Sequence, residues 1–386
     1  MIKVGIIGAG TMGSGIAQVA ATASHQTVLF DIDGQMLQKA KTAIQASLSK
    51  LQIKGKLSGE QAAKILSTIQ FADSPKNFEG CELIIEAVIE NLDIKQKLFN
   101  DIEKIVEDDC VLGTNTSSLS VTSIAAVCNK PERVIGIHFF NPAPLMPLVE
   151  IIPGLATEAT VTSKVKKIID GWGKTTVIAK DTPGFIVNRI ARPFYGEAIR
   201  IYEEGIADFA TIDWAMKEIG GFKMGPFELM DLIGNDINYT VTETVWKQMF
   251  FDPRYKPSLT QKRLFEAGRF GRKTGRGYYD YNTPNPPEAE VLDPSLGSTI
   301  FMRIVAMLIN EAVDALYLQI ASKEDIDLAM KKGVNYPKGL LKWCDEIGEE
   351  KIYTVIRELR EEYSEERYRP SVLLSRMAKS GGKFFN

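Results

Sequence analysis

Short apolar runs alternate with longer stretches of helical period along roughly the first half of the chain. The runs are rich in Val and Ile and have the length of buried strands. They cover residues 2–7, 27–30, Ile69–Ala72, Leu83–Glu86, Val111–Thr114, 134–137 and 175–179. Strands that alternate with helices are typical of a mostly parallel, doubly wound α/β sheet. The alternation ends at the KDTPG segment that begins at Lys180.

The rest of the chain is predicted to be helical, and it contains a repeat. Helical periods cover residues 185–204, 208–219 and 227–249. The segment GEAIRIYEEGIADFATIDWAMKEIG has a counterpart in NEAVDALYLQIASKEDIDLAMKKGV, at an offset of 114 residues. Residues 282–294 between the two copies hold four prolines and are predicted to be a linker. We therefore expect an α/β domain at 1–182, a helical domain at 183–283 and a degenerate copy of it at 295–386.

A glycine loop connects the first predicted strand to a helix-compatible stretch. It reads GAGTMG, and its candidate cofactor-binding residues are Gly8, Gly10, Thr11, Met12 and Gly13. Strand, G-x-G-x-x-G and helix in this order are typical of a Rossmann-type dinucleotide-binding unit. The first glycine permits a tight turn, the second lets the backbone approach a pyrophosphate, and the third lets helix and strand pack closely. The helix N-terminus then offers its N–H groups to the phosphates.

Asp31 completes this motif at the end of the next predicted strand. An acid about 20 residues beyond the loop can accept hydrogen bonds from the hydroxyls of an adenosine ribose. A carboxylate here would repel the 2′-phosphate of NADP, and no arginine precedes Lys50 to bind one. We therefore expect NAD as the cofactor. A nonbinding α/β fold that keeps the tight turn is the alternative.

Three candidate catalytic groups follow predicted strands farther along. His138, one of two histidines in the chain, ends the run 134–137 and precedes Phe-Phe-Asn-Pro. Ser117 follows Val111–Thr114, and Glu150 ends the run 148–149. Open α/β sheets bind ligands beyond the carboxyl ends of their strands, so we expect a hydroxyl, an imidazole and a carboxylate at strand ends. Each also has an ordinary interpretation: a structural histidine, a helix N-cap serine and a solvated glutamate.

Composition narrows the class of protein and its compartment. A net charge of −3 argues against a general nucleic-acid binder. The cysteines Cys81, Cys110, Cys128 and Cys344 form no C-x-x-C pair, and with two histidines they argue against a zinc or other metal site. The chain starts directly in a strand, and no apolar run approaches membrane-spanning length. We expect a reduced cytoplasmic protein without a membrane partner, with an organelle matrix as the alternative.

Several segments resemble the L-3-hydroxyacyl-CoA dehydrogenase family, which includes 3-hydroxybutyryl-CoA dehydrogenases. They are GAGTMGSGIA, TNTSS, HFFNPAP and DTPGFIVNR, the last leading into the helical region. HFFNPAP followed by DTPGFIVNR is much more specific than the glycine loop, and the similarity covers essentially the whole chain. The resemblance implies NAD-dependent oxidation of the 3-hydroxyl of an acyl-CoA thioester. The two helical copies resemble the dehydrogenase part of multifunctional fatty-acid oxidation proteins, without their hydratase domain, so we expect no hydratase activity.

The resemblance also implies roles for individual residues. The family's catalytic histidine falls on His138 and its paired glutamate on Glu150, while its substrate-binding serine and asparagine fall on Ser117 and Asn188. Its nicotinamide contacts fall on Glu90, Lys95, Asn115, Asn141 and Lys273. The acyl chain is then expected in the cleft between domains. The phosphates of CoA are expected near Lys50, Lys54 or Lys56, for which a solvated helix end is the alternative.

Two other functions stay open, and the second helical copy needs an explanation of its own. The alternatives are an NAD-dependent dehydrogenase of a sugar acid and a nonenzymatic dinucleotide-binding subunit. The second copy has Met302 at the position of Asn188, and its closing SGGKFF lacks the Lys-Thr-Gly of the first copy, so we expect one active site per chain. Its apolar face should cover the first copy, as another subunit does in single-copy relatives. We expect a pseudo-two-fold pair of copies in a monomer, with a looser homodimer as the alternative.

Overall fold

The structure, a computed structural model, describes residues 1–283, 289 and 291–385. The chain forms two compact units, Met1–Thr182 and Pro183–Asn386. The first unit contains the sheet, and the second contains both helical copies. Residues 284–288 and 290 of the expected linker lie outside the described residues.

The first unit is built around a sheet of eight strands. The strands are β1 (Lys3–Ile7), β2 (Gln26–Phe30), β3 (Ile69–Ala72), β4 (Leu83–Glu86), β5 (Val111–Thr114), β6 (Val134–Phe139), β7 (Leu148–Pro153) and β8 (Thr175–Ile178). Their order is β3-β2-β1-β4-β5-β6-β7-β8, and every neighbouring pair is parallel except β6 and β7. This confirms the mostly parallel, doubly wound sheet. Strands β4 and β5 are buried at every position, as expected where helices cover both faces.

The described residues of the first unit form six α-helices, and an N-cap side chain caps four of them. They are α1 (Thr11–Thr22), α2 (Gly34–Ile53), α3 (Gly59–Ser67), α4 (Leu92–Glu103), α5 (Val121–Ala125) and α6 (Ala159–Gly171). Ser58 and Gln61 form a capping box at the start of α3, which satisfies two of the free N–H groups of the helix end. Gly10 is the N-cap of α1, so this helix begins inside the glycine loop, earlier than its apolar pattern suggested.

Strands β6 and β7 are longer than the apolar runs that predicted them. β6 continues through His138 to Phe139, and Glu150 is the third residue of β7. The expectation that Glu150 lies at a strand end is therefore wrong, and His138 lies within its strand. The antiparallel register places the two residues directly opposite each other. Their mutual contact allows both polar side chains to remain buried in the sheet.

The second unit is helical, with breaks that the periodic pattern did not predict. Its helices in the described residues are α7 (Val187–Ile190), α8 (Arg192–Glu203), α9 (Phe209–Trp214), α10 (Pro226–Ile233), α11 (Asn235–Gln248), α12 (Leu259–Glu266), α13 (Pro294–Tyr317), α14 (Lys323–Gly333), α15 (Leu340–Ile347), α16 (Glu349–Tyr363) and α17 (Val372–Ser380). The stretch 227–249 is two helices because Gly234, with φ of +106°, ends α10. Gly348, with φ of +100°, separates α15 from α16 in the same way.

Two reciprocal ion pairs join the helical copies within the second unit. Arg189 donates through Nε to Glu311 Oε1 over 2.6 Å, and Arg303 donates through Nε to Glu197 Oε1 over 2.7 Å. The repeat relates Arg189 to Arg303 and Glu197 to Glu311. Each copy therefore gives its arginine to the glutamate of the other, as the two sides of an isologous interface do. A tyrosine hydroxyl also donates to each glutamate.

Helix α13 runs through the interior of the second unit. By length and composition it could cross a membrane, since its most apolar window of 18 residues has a mean hydropathy of 1.5. The expectation that no apolar run approaches this length was therefore wrong. The protein buries 72% of that window, which is the environment of a core helix, and the same helix carries the paired Arg303 and Glu311.

Candidate active site

The predicted site residues of the first unit follow neighbouring strands. Asp31 follows β2, Gly8 follows β1, Glu90 lies shortly beyond β4, Ser117 follows β5, and His138 lies near the end of β6. Because these strands are adjacent and parallel, the residues lie along one edge of the sheet. The strand order reverses between β1 and β4 at this edge, and open α/β sheets bind their ligands at such a point.

Two glycines of the loop after β1 are required by packing within the chain, and a third leaves open space for a ligand. Gly8 has φ of +99°, and a Cβ there would lie 2.6 Å from the backbone oxygen of Ala87. A Cβ on Gly13 would lie 1.8 Å from the backbone oxygen of Gly8. Close packing of the chain therefore requires both glycines. A Cβ on Gly10 would meet no atom within 4 Å, so the open space there fits a pyrophosphate that approaches the backbone.

Asp31 contacts the glycine loop through one carboxylate oxygen and the residues that follow β2 through the other. Oδ2 accepts from the N–H of Ala9 over 2.7 Å, and Oδ1 accepts from the N–H of Asp33 over 3.0 Å. Each carboxylate oxygen can accept a second hydrogen bond, so Asp31 can hold the loop and still bind ribose hydroxyls. Thr11 and Met12, the first residues of α1, are exposed and partly exposed respectively.

A buried pair of an imidazole and a carboxylate lies on β6 and β7. His138 Nδ1 and Glu150 Oε2 are 2.7 Å apart, and the two residues are 5% and 0% exposed. A carboxylate accepts at this distance, so the contact favours a proton on Nδ1 and leaves the lone pair of the neutral ring on Nε2. The ring centroid of Phe140 lies 4.6 Å from that of the imidazole. The orientation and the tautomer of His138 are thus set by its neighbours.

Glu90 accepts hydrogen bonds from the segment that contains Ser117. Its Oε1 accepts from the hydroxyl of Thr116 over 2.6 Å, and from the N–H groups of Ser117 and Ser118 over 3.0 and 3.1 Å. The Ser117 hydroxyl lies 3.4 Å from the same oxygen. Burial opposes the ionisation of Glu90, but the charge of Lys95 and these hydrogen bonds outweigh burial and lower the pKa of Glu90. Glu90 is therefore a carboxylate that positions Ser117.

Lys95 belongs to a buried ion-pair cluster. Its Nζ lies 2.6 Å from Glu86 Oε1 and 3.2 Å from Glu90 Oε2, and the residue is 1% exposed. Lys95 therefore acts on the site through Glu90. Glu86, which also accepts from the Thr114 hydroxyl over 2.8 Å, was not among the predicted site residues. The signal that could have revealed it is a glutamate that ends the otherwise apolar strand β4.

The two predicted asparagines of the first unit lie on either side of the end of β6. Asn115 follows β5, and its Oδ1 accepts from the N–H of Phe139 over 2.8 Å. Asn115 thus ties the end of β5 to the residue that follows His138. Asn141 lies just beyond β6 and is exposed, so its side chain is accessible to a ligand at this edge.

Lys174 holds the segment that connects β6 to β7. Its Nζ donates to the carbonyl oxygens of Ala143 over 2.5 Å and of Met146 over 2.8 Å. Burial lowers the pKa of Lys174 to about 8. This residue was also absent from the predicted site, because a single lysine before a strand forms no recognisable motif.

The remaining predicted residues are distributed over both units. Asn188 lies on α7 of the second unit, where its carbonyl oxygen accepts from Nε of Arg192 over 2.8 Å. Lys273 lies in the glycine-rich loop of that unit, with its Nζ 2.6 Å from Asp236 Oδ2. The candidate CoA-binding residues at the C-terminal end of α2 are all exposed: Lys50, Lys54 and Lys56. Within the first unit, the structure brings together His138 with Glu150 and Ser117 with Glu90.

An oriented base and a dinucleotide loop at one sheet edge allow a proton and a hydride to leave the same alcohol. This is the chemistry of a dinucleotide-dependent dehydrogenase. The family model of the 3-hydroxyacyl-CoA dehydrogenase NAD-binding domain matches residues 3–182, and that of the C-terminal domain matches residues 184–281 and again 300–383. The chain belongs to the 3-hydroxyacyl-CoA dehydrogenase family, and it is an NAD-dependent oxidoreductase.

Individual relatives agree with this assignment. The chain is 37% identical to the 3-hydroxyadipyl-CoA dehydrogenase of Escherichia coli strain K12, over 97% of each protein. It is 41% identical to the human mitochondrial hydroxyacyl-coenzyme A dehydrogenase, over 72% of this chain and 90% of the human protein. A crystal structure of 3-hydroxybutyryl-CoA dehydrogenase from E. coli has a TM-score of 0.94 and 36% identity, with 99% of both chains covered. The expected family, cofactor and enzyme class are confirmed.

Proposed function

We propose that His138 takes the proton of the 3-hydroxyl when this enzyme oxidises an (S)-3-hydroxyacyl-CoA to the 3-ketoacyl-CoA, and returns it in the reverse reaction. NAD, when bound, supplies the hydride acceptor. A secondary alcohol loses hydride readily only as its proton leaves, and imidazole accepts protons near neutral pH. The observation that carries the proposal is the 2.7 Å contact between His138 Nδ1 and Glu150, because it directs the incoming proton to Nε2.

Glu150 holds this base and stabilises its charged form. The carboxylate is fully buried, so its attraction for an imidazolium is screened less than it would be in water. The antiparallel register His138–Glu150 fixes the pair on two adjacent strands. The imidazole therefore requires no reorientation when it becomes protonated.

Binding of substrate and cofactor is assigned to the residues that the family resemblance indicates. Ser117 and Asn188 bind the 3-oxygen or the thioester carbonyl. The buried Lys95 and the carboxylate of Glu90 support this assignment for Ser117, because they fix the backbone on both sides of its hydroxyl. The nicotinamide is assigned to Asn115, Asn141, Lys273 and Glu90, and the phosphates of CoA to the lysines at the end of α2.

The acyl chain is proposed to be short. Support comes from the names given to similar E. coli chains, 3-hydroxyadipyl-CoA dehydrogenase for the protein and 3-hydroxybutyryl-CoA dehydrogenase for the crystal structure. NADH oxidation should be measured with 3-ketoacyl-CoA thioesters from four carbons upward, including the dicarboxylic 3-ketoadipyl-CoA. The highest kcat/KM should fall on one of these two chains. A higher value for a long unbranched chain, or turnover of a sugar acid without CoA, would contradict the proposal.

Replacement of His138 tests the mechanism. General acid–base catalysis contributes about 10²–10⁴-fold, so His138→Gln should lower kcat by roughly that factor while the Kd for NADH changes little. His25→Gln is the matched control. The Nδ1 of His25 accepts from the N–H of Ile2, so this histidine has a structural role. This control should retain kcat. An active His138→Gln enzyme would refute the assignment.

One active site per chain and a monomeric state are also proposed. Met302 on α13 occupies the position that corresponds to Asn188 and offers no amide to a substrate. The reciprocal pairs of Arg189 with Glu311 and of Arg303 with Glu197 support intramolecular pairing of the copies. Titration should give one NADH bound per chain. Light scattering should give a mass of about 42.8 kDa, and a mass twice as large would show the homodimer instead.

A further inference from the structure

A small cavity lies between the helical copies of the second unit, and its walls are mainly basic. It has a volume of about 20 Å³. Its charged lining residues are Arg192, Glu197, Arg200, Arg254, Lys256 and Arg367. A cavity of this volume holds one water molecule or one ion of similar size. The surrounding charges therefore decide which of the two occupies it.

In the other half of the interface, protein carboxylates neutralise the corresponding arginines. Arg254 donates through Nη1 to Glu311 Oε2 and to Asp314 Oδ2, over 3.1 Å in each case. Asp314 also accepts from Arg189 over 3.3 Å. Two buried arginines thus share two carboxylates, and their charges balance.

On the cavity side, the residue that corresponds to one of these carboxylates is an arginine. The sequence EAIR of the first copy corresponds to EAVD of the second, and RYKPS corresponds to RYRPS. The counterparts of Glu311, Asp314 and Arg254 are therefore Glu197, Arg200 and Arg367. Among the described residues Arg200 makes no hydrogen-bonded ion pair, although its charge contributes to the lowered pKa of Glu204. The position that should hold an acid for Arg367 holds an arginine.

Neighbouring acids compensate for this exchange only in part. Glu197 is bound by Arg303 Nε over 2.7 Å, and Glu204 is bound by the two terminal nitrogens of Arg303 over 2.8 and 3.0 Å. Both carboxylates are thus committed to Arg303. Glu365 forms an ion pair with Arg367, with its Oε2 3.4 Å from Nε, but this carboxylate is half exposed and accepts no hydrogen bond from Nε or Nη1 of the buried guanidinium.

Arg367 is left with buried donors that no described residue accepts. It is 3% exposed, and its Nε and Nη1 have no hydrogen-bond partner in the described part of the chain. Its guanidinium lies 4.7 Å from the ring centroid of Tyr368, which holds it in place. Arg192, another buried lining residue, donates to the neutral Asn188 carbonyl and Thr242 hydroxyl. Arg192 therefore has no carboxylate partner among the described residues, and the one of Arg367 is half exposed. Burial of a guanidinium without a full counter-charge is strongly unfavourable.

We propose that this cavity binds one small monovalent inorganic anion of the size of chloride. The anion takes the place that the Asp314 carboxylate occupies in the other half of the interface. Its partners are Arg367, Arg200 and Arg192, and it completes the charge balance between the two helical copies.

Thermal unfolding in buffers that differ only in their anion tests the proposal. Gluconate is much larger than chloride and serves as the reference anion, so chloride should replace gluconate at constant ionic strength. The midpoint should rise by about 2–5 °C and saturate as chloride increases, because a ligand that binds the folded state alone stabilises it. Bromide should act in the same way. If the midpoint of the wild type rises no more than that of the Arg200→Asp variant, the proposal is wrong.

Two variants with the same change of charge make this measurement specific. Arg200→Asp restores the carboxylate of the repeat, and it should unfold in gluconate at least as high as the wild type does in chloride, with no response to chloride. Arg357→Asp makes the same exchange on the exposed surface of α16, where the arginine is half exposed, and it should keep the wild-type response. Equal chloride responses in the two variants would contradict the site.

Crystals of the wild-type protein soaked in bromide provide a readout that depends on no variant. An anomalous peak within hydrogen-bond distance of the Arg367 guanidinium is expected. A cavity that contains water and no anomalous peak at saturating bromide would overturn the proposal, even if Arg200→Asp fails to fold.

Discussion

Replacement of Glu311 with glutamine removes the charge that two arginines share between the helical copies. Glu311 is fully buried and accepts from Arg189 over 2.6 Å, from Arg254 over 3.1 Å and from the hydroxyl of Tyr255 over 2.5 Å. Burial opposes its ionisation, but the charges of the two arginines outweigh burial and lower the pKa of Glu311. The variant leaves both guanidinium groups buried with Asp314 as their remaining carboxylate.

The expected loss of stability follows from these contacts. Removing one partner of a buried ion pair typically destabilises a protein by about 3–5 kcal/mol. Asp314 still lies 3.3 Å from Arg189 and 3.1 Å from Arg254, so we expect the lower end, about 3 kcal/mol. For a folding unit of this size, the midpoint of thermal unfolding should fall by about 6–12 °C.

Urea unfolding, monitored by tryptophan fluorescence, measures this loss of stability in the second unit. Three of the four tryptophans belong to the second unit: Trp214, Trp246 and Trp343. Glu346→Gln is the control, because Glu346 pairs with Lys338 on the surface and should contribute less than about 1 kcal/mol. If Glu311→Gln costs no more than this control, the reciprocal pairs do not hold the copies together.

Three further predictions concern the cofactor, pH and the second copy. NADH should be preferred over NADPH by about 100-fold in kcat/KM, because Asp31 repels a 2′-phosphate, and equal values would contradict this. Burial raises the pKa of Asp213 to about 7. As the pH rises from about 4 to about 7, the unfolding free energy of the wild type should therefore fall relative to that of Asp213→Asn. If the difference between the two proteins stays constant over this range, Asp213 does not titrate there. Truncation after Tyr281 should give a dimer or an aggregate, since Arg189 then loses Glu311, and a soluble, active monomer would show that the second copy covers nothing important.

Features that depend on consecutive residues could be predicted from the sequence. The glycine loop is one of them, because Gly8, Gly10 and Gly13 act through backbone positions in a single turn. Asp31 follows from the same motif. His138 could be singled out because histidine is rare in this chain and the residue follows an apolar run.

Features that depend on tertiary pairing could not be predicted in this way. Glu150 meets His138 through the antiparallel register of β6 and β7, and an apolar run does not reveal which strand will be its neighbour. The cluster of Lys95 with Glu86 and Glu90 is likewise assembled from different elements. The break at Gly234 was hidden because the apolar period continues across it, while the backbone takes a positive φ.

The fusion of two helical copies frees each of them from the symmetry of a homodimer. A substitution in a homodimer appears twice, once on each side of the axis, so a change that suits one side is imposed on the other. In this chain a mutation alters one copy alone. The second copy therefore carries Met302 where the first carries Asn188, and the first carries Arg200 where the second carries Asp314. Duplication thus allows catalysis and scaffolding to evolve separately from one ancestral surface.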